Sequence, residues 1–201
     1  MRGVILAGGA ASRFGGAPKG LQEVGGRRIL DRVIAACMAA FDTPPLLVAG
    51  DPQASAWQPG LEVVPDLLPG HGPLGGLLTA VVRGPAPVLV VAWDMPFVSA
   101  ELLRRLADGL HEADVCLPAS SGRRSVEPLC AAYGPGCEPA IRAALDRGER
   151  QLVAFHHAVR TTILALHEVA AFGDPSTLFL NVNTPDDLER ARLLDAAPPS
   201  P

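Results

Sequence analysis

Lysine is almost missing from this chain. Of its seventeen basic residues, Lys19 is the sole lysine and all the others are arginine. A guanidinium is a planar fork suited to a fixed partner, whereas an ammonium on a four-carbon stem is a mobile point charge that can follow a phosphate through a reaction. A chain that uses arginine everywhere else and lysine once therefore marks position 19 for anion chemistry. An excess of positive charge is missing too. The net charge of −4 leaves no general basic face, which excludes broad binding to nucleic acid or to a membrane surface and makes any phosphate recognition local.

Other absences narrow the class further. The four cysteines, Cys37, Cys116, Cys130 and Cys137, form no CxxC pair and no zinc-ligand spacing, so they are expected to be reduced, buried thiols. No apolar run approaches the roughly twenty residues of a membrane span. The five apolar residues before Gly8 are too few for the core of a signal peptide, and a soluble, cytoplasmic protein is expected. No GxSxG elbow is present, which argues against a serine hydrolase. Adjacent His156 and His157 would point about a hundred degrees apart on a helix and make a poor metal site.

What the chain does have is organised around residues 4–19, VILAGGAASRFGGAPK. Apolar residues lead into Gly8 and Gly9, a small polar run follows, and the segment closes on Pro18 and Lys19. This is the pattern of an interior parallel strand running into a loop that wraps phosphates. Glycine lets the backbone bend and approach a ligand, exposed N–H groups form an anion-binding concavity, and Arg13 and Lys19 add full charges.

Downstream, apolar spacing predicts a helix over residues 29–41, stopped by Pro44 and Pro45, then strands at 46–49 and 61–64 around a polar loop at 51–59. A helix follows Pro73, and the most strongly marked strand, 88–92, delivers Asp94 at its carboxyl end. Ser99 is placed as the N-cap of a helix to about Leu110. Strands are expected at 115–117, 126–133, 161–166 and 179–182, helices at 136–147 and 151–157, and a closing helix capped by Thr184 and reaching about Leu194. Strand and helix alternate for most of the length. The expected fold is therefore α/β, a Rossmann-like three-layer sandwich whose mostly parallel central sheet carries helices on both faces. One domain spans residues 1–195, and residues 196–201 are expected to form a disordered tail.

In such sheets ligands bind beyond the carboxyl ends of the strands. Gly8, Asp66, Asp94, Asn181 and Asn183 all fall at or just past predicted strand ends and are expected to line one cleft. Magnesium is usually held by one or two carboxylates together with substrate phosphates, so Asp94 beside a phosphate loop suits a metal–nucleotide site; an aspartate capping the next turn is the alternative. As an exposed strand-end carboxylate, Asp94 is expected to be dispensable for folding. Asp66 follows Pro65 and also suits plain turn chemistry. Asn181 and Asn183 flank Val182, point to one face, and either orient Asp94, a metal-bound water or a phosphate, or satisfy nearby backbone. Gly70, Gly72 and Gly75 match GxGxxG, but Pro69 stands where a strand should enter, so a dinucleotide-dependent oxidoreductase is weakly supported.

The segments LAGGAASRFGGAPKG at 6–20, PD at 65–66, GPLGG at 72–76, WDMPF at 93–97, RGERQLVAF at 147–155 and NVNTPDDL at 181–188 together resemble the molybdenum cofactor guanylyltransferase family, in the family's order and over nearly the whole chain. The resemblance implies a nucleotidyltransferase that joins GMP from GTP to the terminal phosphate of molybdopterin, releasing pyrophosphate, with Mg²⁺ as cofactor and molybdoenzyme maturation proteins as possible partners. It implies that Leu6, Ala7, Gly8 and Gly9 meet the guanine and ribose, and that Ser12 belongs to the same binding loop. Arg13 and Lys19 would act on the triphosphate, with Asp66 in the nucleotide pocket. Asp94 would bind the metal, and Asn181 and Asn183 would line the catalytic side. Cytidylyltransferase relatives typically read LAAG where this chain has LAGG. Ala49-Gly50-Asp51 departs from relatives that place an asparagine after the second strand, leaving that contact to Asp51 or to backbone. A catalytically silent nucleotide sensor or cofactor chaperone on this fold would be free to lose Asp94 or Lys19; this chain has both.

Overall fold

The computed structural model describes residues 1–8, 18–85, 87–122 and 125–197. In chain order the strands are β1 (Arg2–Ala7), β2 (Glu23–Val24), β3 (Arg27–Arg28), β4 (Leu46–Ala49), β5 (Val63–Val64), β6 (Val88–Ala92), β7 (Val115–Pro118), β8 (Cys130–Tyr133) and β9 (Thr161–Leu164). The helices are α1 (Ile29–Phe41), α2 (Ala54–Trp57), α3 (Gly72–Arg83), α4 (Ala100–Asp108), α5 (Cys137–Asp146), α6 (Leu166–Val169), α7 (Pro175–Leu178) and α8 (Pro185–Ala196).

β1 lies inside the seven-stranded sheet, ordered β5-β4-β1-β6-β8-β7-β9, and its uninterrupted apolar sequence follows from that place. It pairs in parallel with β4, Val4 opposite Leu46, and with β6, Val4 opposite Val90. Successive side chains go to opposite faces. Val4 and Leu6 enter one core cluster with Val48, Val90 and the apolar stripes of α3 and α5, while Ile5 and Ala7 enter the other with Leu47, Val91 and the inner faces of α1, α4 and α8. The layers are thus helix, sheet, helix. β8 is the reversed strand, antiparallel to both β6 and β7, so the sheet is mostly parallel, as expected. The β2–β3 hairpin stands apart, turning on Gly25 and Gly26, whose φ values of 58° and 72° suit glycine.

Local chemistry sets most boundaries. Asp42 ends α1 in the left-handed region with φ 49°. The Ser99 hydroxyl accepts the Leu102 N–H, and Thr184 with Asp187 forms a capping box at α8. Elsewhere the structure corrects the expectations. Residues 179–182 form no strand: Phe179 closes α7, and the following chain is tied to the sheet by the Val182 N–H donating to the Asp94 carbonyl at 2.9 Å. The stretch 151–157 is a run of turns entering a 3-10 turn at His156–Ala158 rather than a helix. Residues 126–129 fall outside β8: Val126 forms an isolated bridge with Ala119, the Glu127 N–H donates to the Pro118 carbonyl at 3.0 Å, and the Leu129 carbonyl accepts the Ala92 N–H at 2.8 Å. The 51–59 loop contains α2, whose Trp57 is buried. α8 continues to Ala196, two residues past its expected end and into the segment expected to be a tail. Among the described residues, no helix is long and apolar enough to cross a membrane.

Candidate functional site

At the carboxyl ends of β1, β4, β5 and β6 the sheet opens into a cavity of about 550 Å³. Leu6, Ala7, Gly8, Lys19, Asp66, Asp94, Asn181 and Asn183 all line it. The remaining predicted residues, Gly9, Ser12 and Arg13, lie outside the described residues.

The centre of the cavity is polar. Lys19 opens a 3-10 turn, Lys19–Leu21, and its Nζ donates to Asp94 Oδ2 at 2.5 Å and to Asn183 Oδ1 at 2.8 Å. Asp94 arrives two residues after β6, where the Trp93 N–H still donates to the Leu6 carbonyl at 3.2 Å. The Lys19 side chain is 15% exposed and that of Asp94 5%, so the expectation of an exposed carboxylate is corrected: Asp94 is buried because Lys19 neutralises it there. Removing its charge would strand a desolvated ammonium, and Asp94 is therefore part of the fold as well as of the site.

Asn183 is set by the cap of α8. Asp187 Oδ2 accepts the N–H groups of Asn183 at 3.0 Å and Thr184 at 2.9 Å. Asn181 and Asn183 both reach the cavity, with Val182 buried between them, so the expected alternation holds in a segment that is not a sheet strand. The Asn181 side-chain amide donates to the Phe179 carbonyl at 3.0 Å.

Asp66 lies beyond β5. It makes no hydrogen bond or ion pair among the described residues, and partial burial lifts its carboxyl above the usual aspartate range. Its oxygens face two places without side chains: a methyl on Gly50 would sit 3.7 Å from Oδ2 and one on Gly76 3.8 Å from Oδ1. The buried Thr79 hydroxyl, which donates to the Gly75 carbonyl at 3.0 Å and accepts the Leu67 N–H at 3.0 Å, ties the chain after Asp66 to α3. Asp66 and Asp94 each stand two residues past their strands, and β5 and β6 are three positions apart in the sheet, about 14 Å. The cavity thus runs from an ion-paired end to an acceptor-only end.

Sequence reasoning missed Thr79, Val48, Leu129 and the role of Trp93. Thr79 sits inside an apolar helical run, where its hydroxyl serves the backbone, and this was the one available signal. Asp51 is not a cavity residue; its Oδ1 accepts the Gln53 N–H at 2.8 Å and shapes the turn into α2. The GxGxxG reading fails because β5 ends at Val64, well before Gly70, so no strand runs into the glycines. Among the described residues, no group of three or more His, Cys, Asp or Glu side chains is placed to hold a metal.

The fold and the cleft together define a protein of the Rossmann-like α/β class, with its cavity at the carboxyl ends of the strands. Residues 3–161 match the MobA-like NTP transferase domain. The chain is 36% identical to a probable molybdenum cofactor guanylyltransferase of Pelotomaculum thermopropionicum, covering 96% of this chain and 92% of that one. It is 31% identical to the molybdenum cofactor guanylyltransferase of Vibrio cholerae, covering 92% and 88%. Its fold superposes with a TM-score of 0.81 on the molybdopterin-guanine dinucleotide biosynthesis protein A of Archaeoglobus fulgidus, at 25% identity over 96% of this chain and 98% of that one. The chain belongs to the MobA-like NTP transferase family and is a nucleotidyltransferase.

Proposed function

We propose that this protein transfers GMP from GTP to the terminal phosphate of molybdopterin, forming the guanine dinucleotide cofactor and pyrophosphate. The observation that carries the reading is the meeting of Lys19, Asp94 and Asn183 in one cavity whose other end is the carboxylate of Asp66, without a partner among the described residues. Relatives that match nearly end to end carry the guanylyltransferase name.

The chemistry asks for positioning and charge neutralisation. A phosphate oxygen on the acceptor is already anionic, so no general base is needed; it must be aligned with the α-phosphorus while charge on the departing pyrophosphate is compensated. Lys19 and Arg13 are assigned to the triphosphate, with the backbone of the glycine loop from Gly8 through Gly9 and Ser12. Leu6 and Ala7 wall the nucleoside. Asp66 accepts hydrogen bonds from its N–H or O–H groups at the far end, and Asn181 and Asn183 orient the acceptor side.

The residues present suit Mg²⁺. Asp94 and Asn183 turn two oxygens toward one point, no sulfur or imidazole lines the cavity among the described residues, and a single carboxylate leaves the other positions to phosphate and water, as this hard cation prefers. Asp94 would hold it, and when bound it would supply Lewis-acid compensation of phosphate charge.

Thermal shift with GTP, CTP and ATP, each with and without Mg²⁺, tests the assignment, since a ligand at a hundred times its Kd adds about 2.7 kcal/mol. Selective, magnesium-dependent stabilisation by GTP is expected, together with pyrophosphate release that requires molybdopterin. Stabilisation by CTP alone would move the protein to the cytidylyl reaction. Failure of every nucleotide would remove the enzyme reading.

A further inference from the structure

Lys19 and the proposed cation compete for the same oxygens. The ammonium sits 2.5 Å from Asp94 Oδ2 and 2.8 Å from Asn183 Oδ1, a carboxylate and an amide carbonyl that together make a hard-cation corner. From this we infer that Lys19 is the resident counter-cation of the nucleotide-free site, so that the cleft admits a divalent metal only together with a polyphosphate that receives the displaced lysine. The inference rests on the reading above that a divalent cation accompanies the nucleotide.

Burial makes the arrangement consequential. With side-chain exposures of 15% and 5%, the pair is largely removed from water, where an uncompensated charge of either sign is costly. The Lys19–Asp94 pair is neutral as a unit, and that neutrality offsets its burial. A lone divalent cation reaching Asp94 would meet an ammonium at contact distance, and expelling that ammonium would leave it without its two acceptors. A metal–polyphosphate complex changes the balance, because its own anionic oxygens take the lysine while the metal takes the carboxylate. The exchange needs a cation that lets go. An arginine here would grip the carboxylate with two parallel hydrogen bonds, whereas the ammonium swings on a flexible stem. The chain's single lysine stands at the one position where a removable charge is wanted.

The test compares wild type with Lys19→Met in two arms. Mn²⁺ alone, followed by loss of the free-ion paramagnetic resonance signal, is expected to bind Lys19→Met about tenfold more tightly than wild type. Magnesium tripolyphosphate, followed by calorimetry, is expected to reverse that order. Asp94→Asn is expected to abolish the Mn²⁺ gain when combined with Lys19→Met, and Lys19→Gln serves as the second neutral variant if Lys19→Met does not fold. The same order in both arms, or no gain in Mn²⁺ affinity in either neutral variant, overturns the inference. Because neither probe carries a nucleobase, a wrong assignment of GTP would leave both arms unchanged and would show only in the nucleotide thermal shifts.

Discussion

The indole of Trp93 fills the space in which a side chain on residue 20 would lie: a methyl group on Gly20 would come within 2.4 Å of a ring carbon. These residues are the sequence neighbours of Asp94 and Lys19, so this packing of glycine on ring sets the ion pair at its working distance. The ring cannot easily yield, being stacked on Trp57 with centroids 5.0 Å apart and buried as far as its Nε1, which has no partner among the described residues. Gly20→Ala is expected to destabilise the protein by about 1–3 kcal/mol through overpacking and to raise KM for the nucleotide, measured by denaturant melts beside steady-state kinetics. Trp93→Phe, which thins the ring, is expected to restore part of both losses in the Gly20→Ala background. A Gly20→Ala protein with unchanged KM would separate the packing from the site.

Asp66 is a case of function set against stability. Its carboxylate is partly buried without a partner among the described residues, and that desolvation raises its pKa, which means that the ionised form is disfavoured in the folded chain. Asp66→Asn is expected to raise the Tm of the unliganded protein slightly and to weaken nucleotide binding. Thermal shift with and without GTP reads both. A fall in the unliganded Tm would show that the carboxylate is structurally supported after all.

Asp187 ties the cap of α8 to Asn183. Its Oδ2 accepts three hydrogen bonds, from the Asn183 and Thr184 N–H groups and from the Thr184 hydroxyl at 2.8 Å. Asp187→Ala is expected to cost about 1 kcal/mol as a lost cap and to lower kcat as Asn183 loosens from Lys19. Thr184→Ala keeps the two backbone contacts to Asp187, so it is expected to cost similar stability with a smaller fall in kcat. Equal effects on kcat would assign the loss to the helix rather than to Asn183.

His156 packs edge-on against Phe155, ring centroids 4.8 Å apart, with Nε2 buried and without a partner among the described residues. Burial lowers its pKa from 6.5 to about 4. Between those values the unfolded chain binds a proton that the folded chain does not, so its contribution is complete above about pH 6.5 and is lost as pH falls toward 4. The carboxyls of Asp114, Glu168 and Asp174, held below their ordinary values by hydrogen bonds from Arg160, Ala165 and Ser176 respectively, act at lower pH. His156→Phe is expected to flatten the Tm profile between pH 6.5 and 4 while leaving the steeper acid limb. An unchanged profile would show that the ring is protonated in place.

What the amino-acid order determined by itself was local. Continuous apolar runs at Val4 to Ala7 and Val88 to Ala92 mark interior parallel strands buried on both faces, and Ser99, Thr184 and the prolines place helix ends through groups a few residues apart. The strand-end rule also brought Gly8, Asp66 and Asp94 to one cavity, because a parallel sheet sends the carboxyl ends of its strands the same way; Asn181 and Asn183 reach it from a segment that is not a strand. Tertiary structure alone decided the rest. Lys19 meets Asp94 across 75 positions and Asn183 across 164, and only that meeting makes Asp94 a buried, neutralised carboxylate instead of an exposed one. Residues 179–182 have strand-like composition but pair with no strand, since the sheet offers them the Asp94 carbonyl and nothing further along. A hydrogen bond or ion pair between distant segments leaves no periodicity in either segment, and packing of the whole chain has to bring the two together.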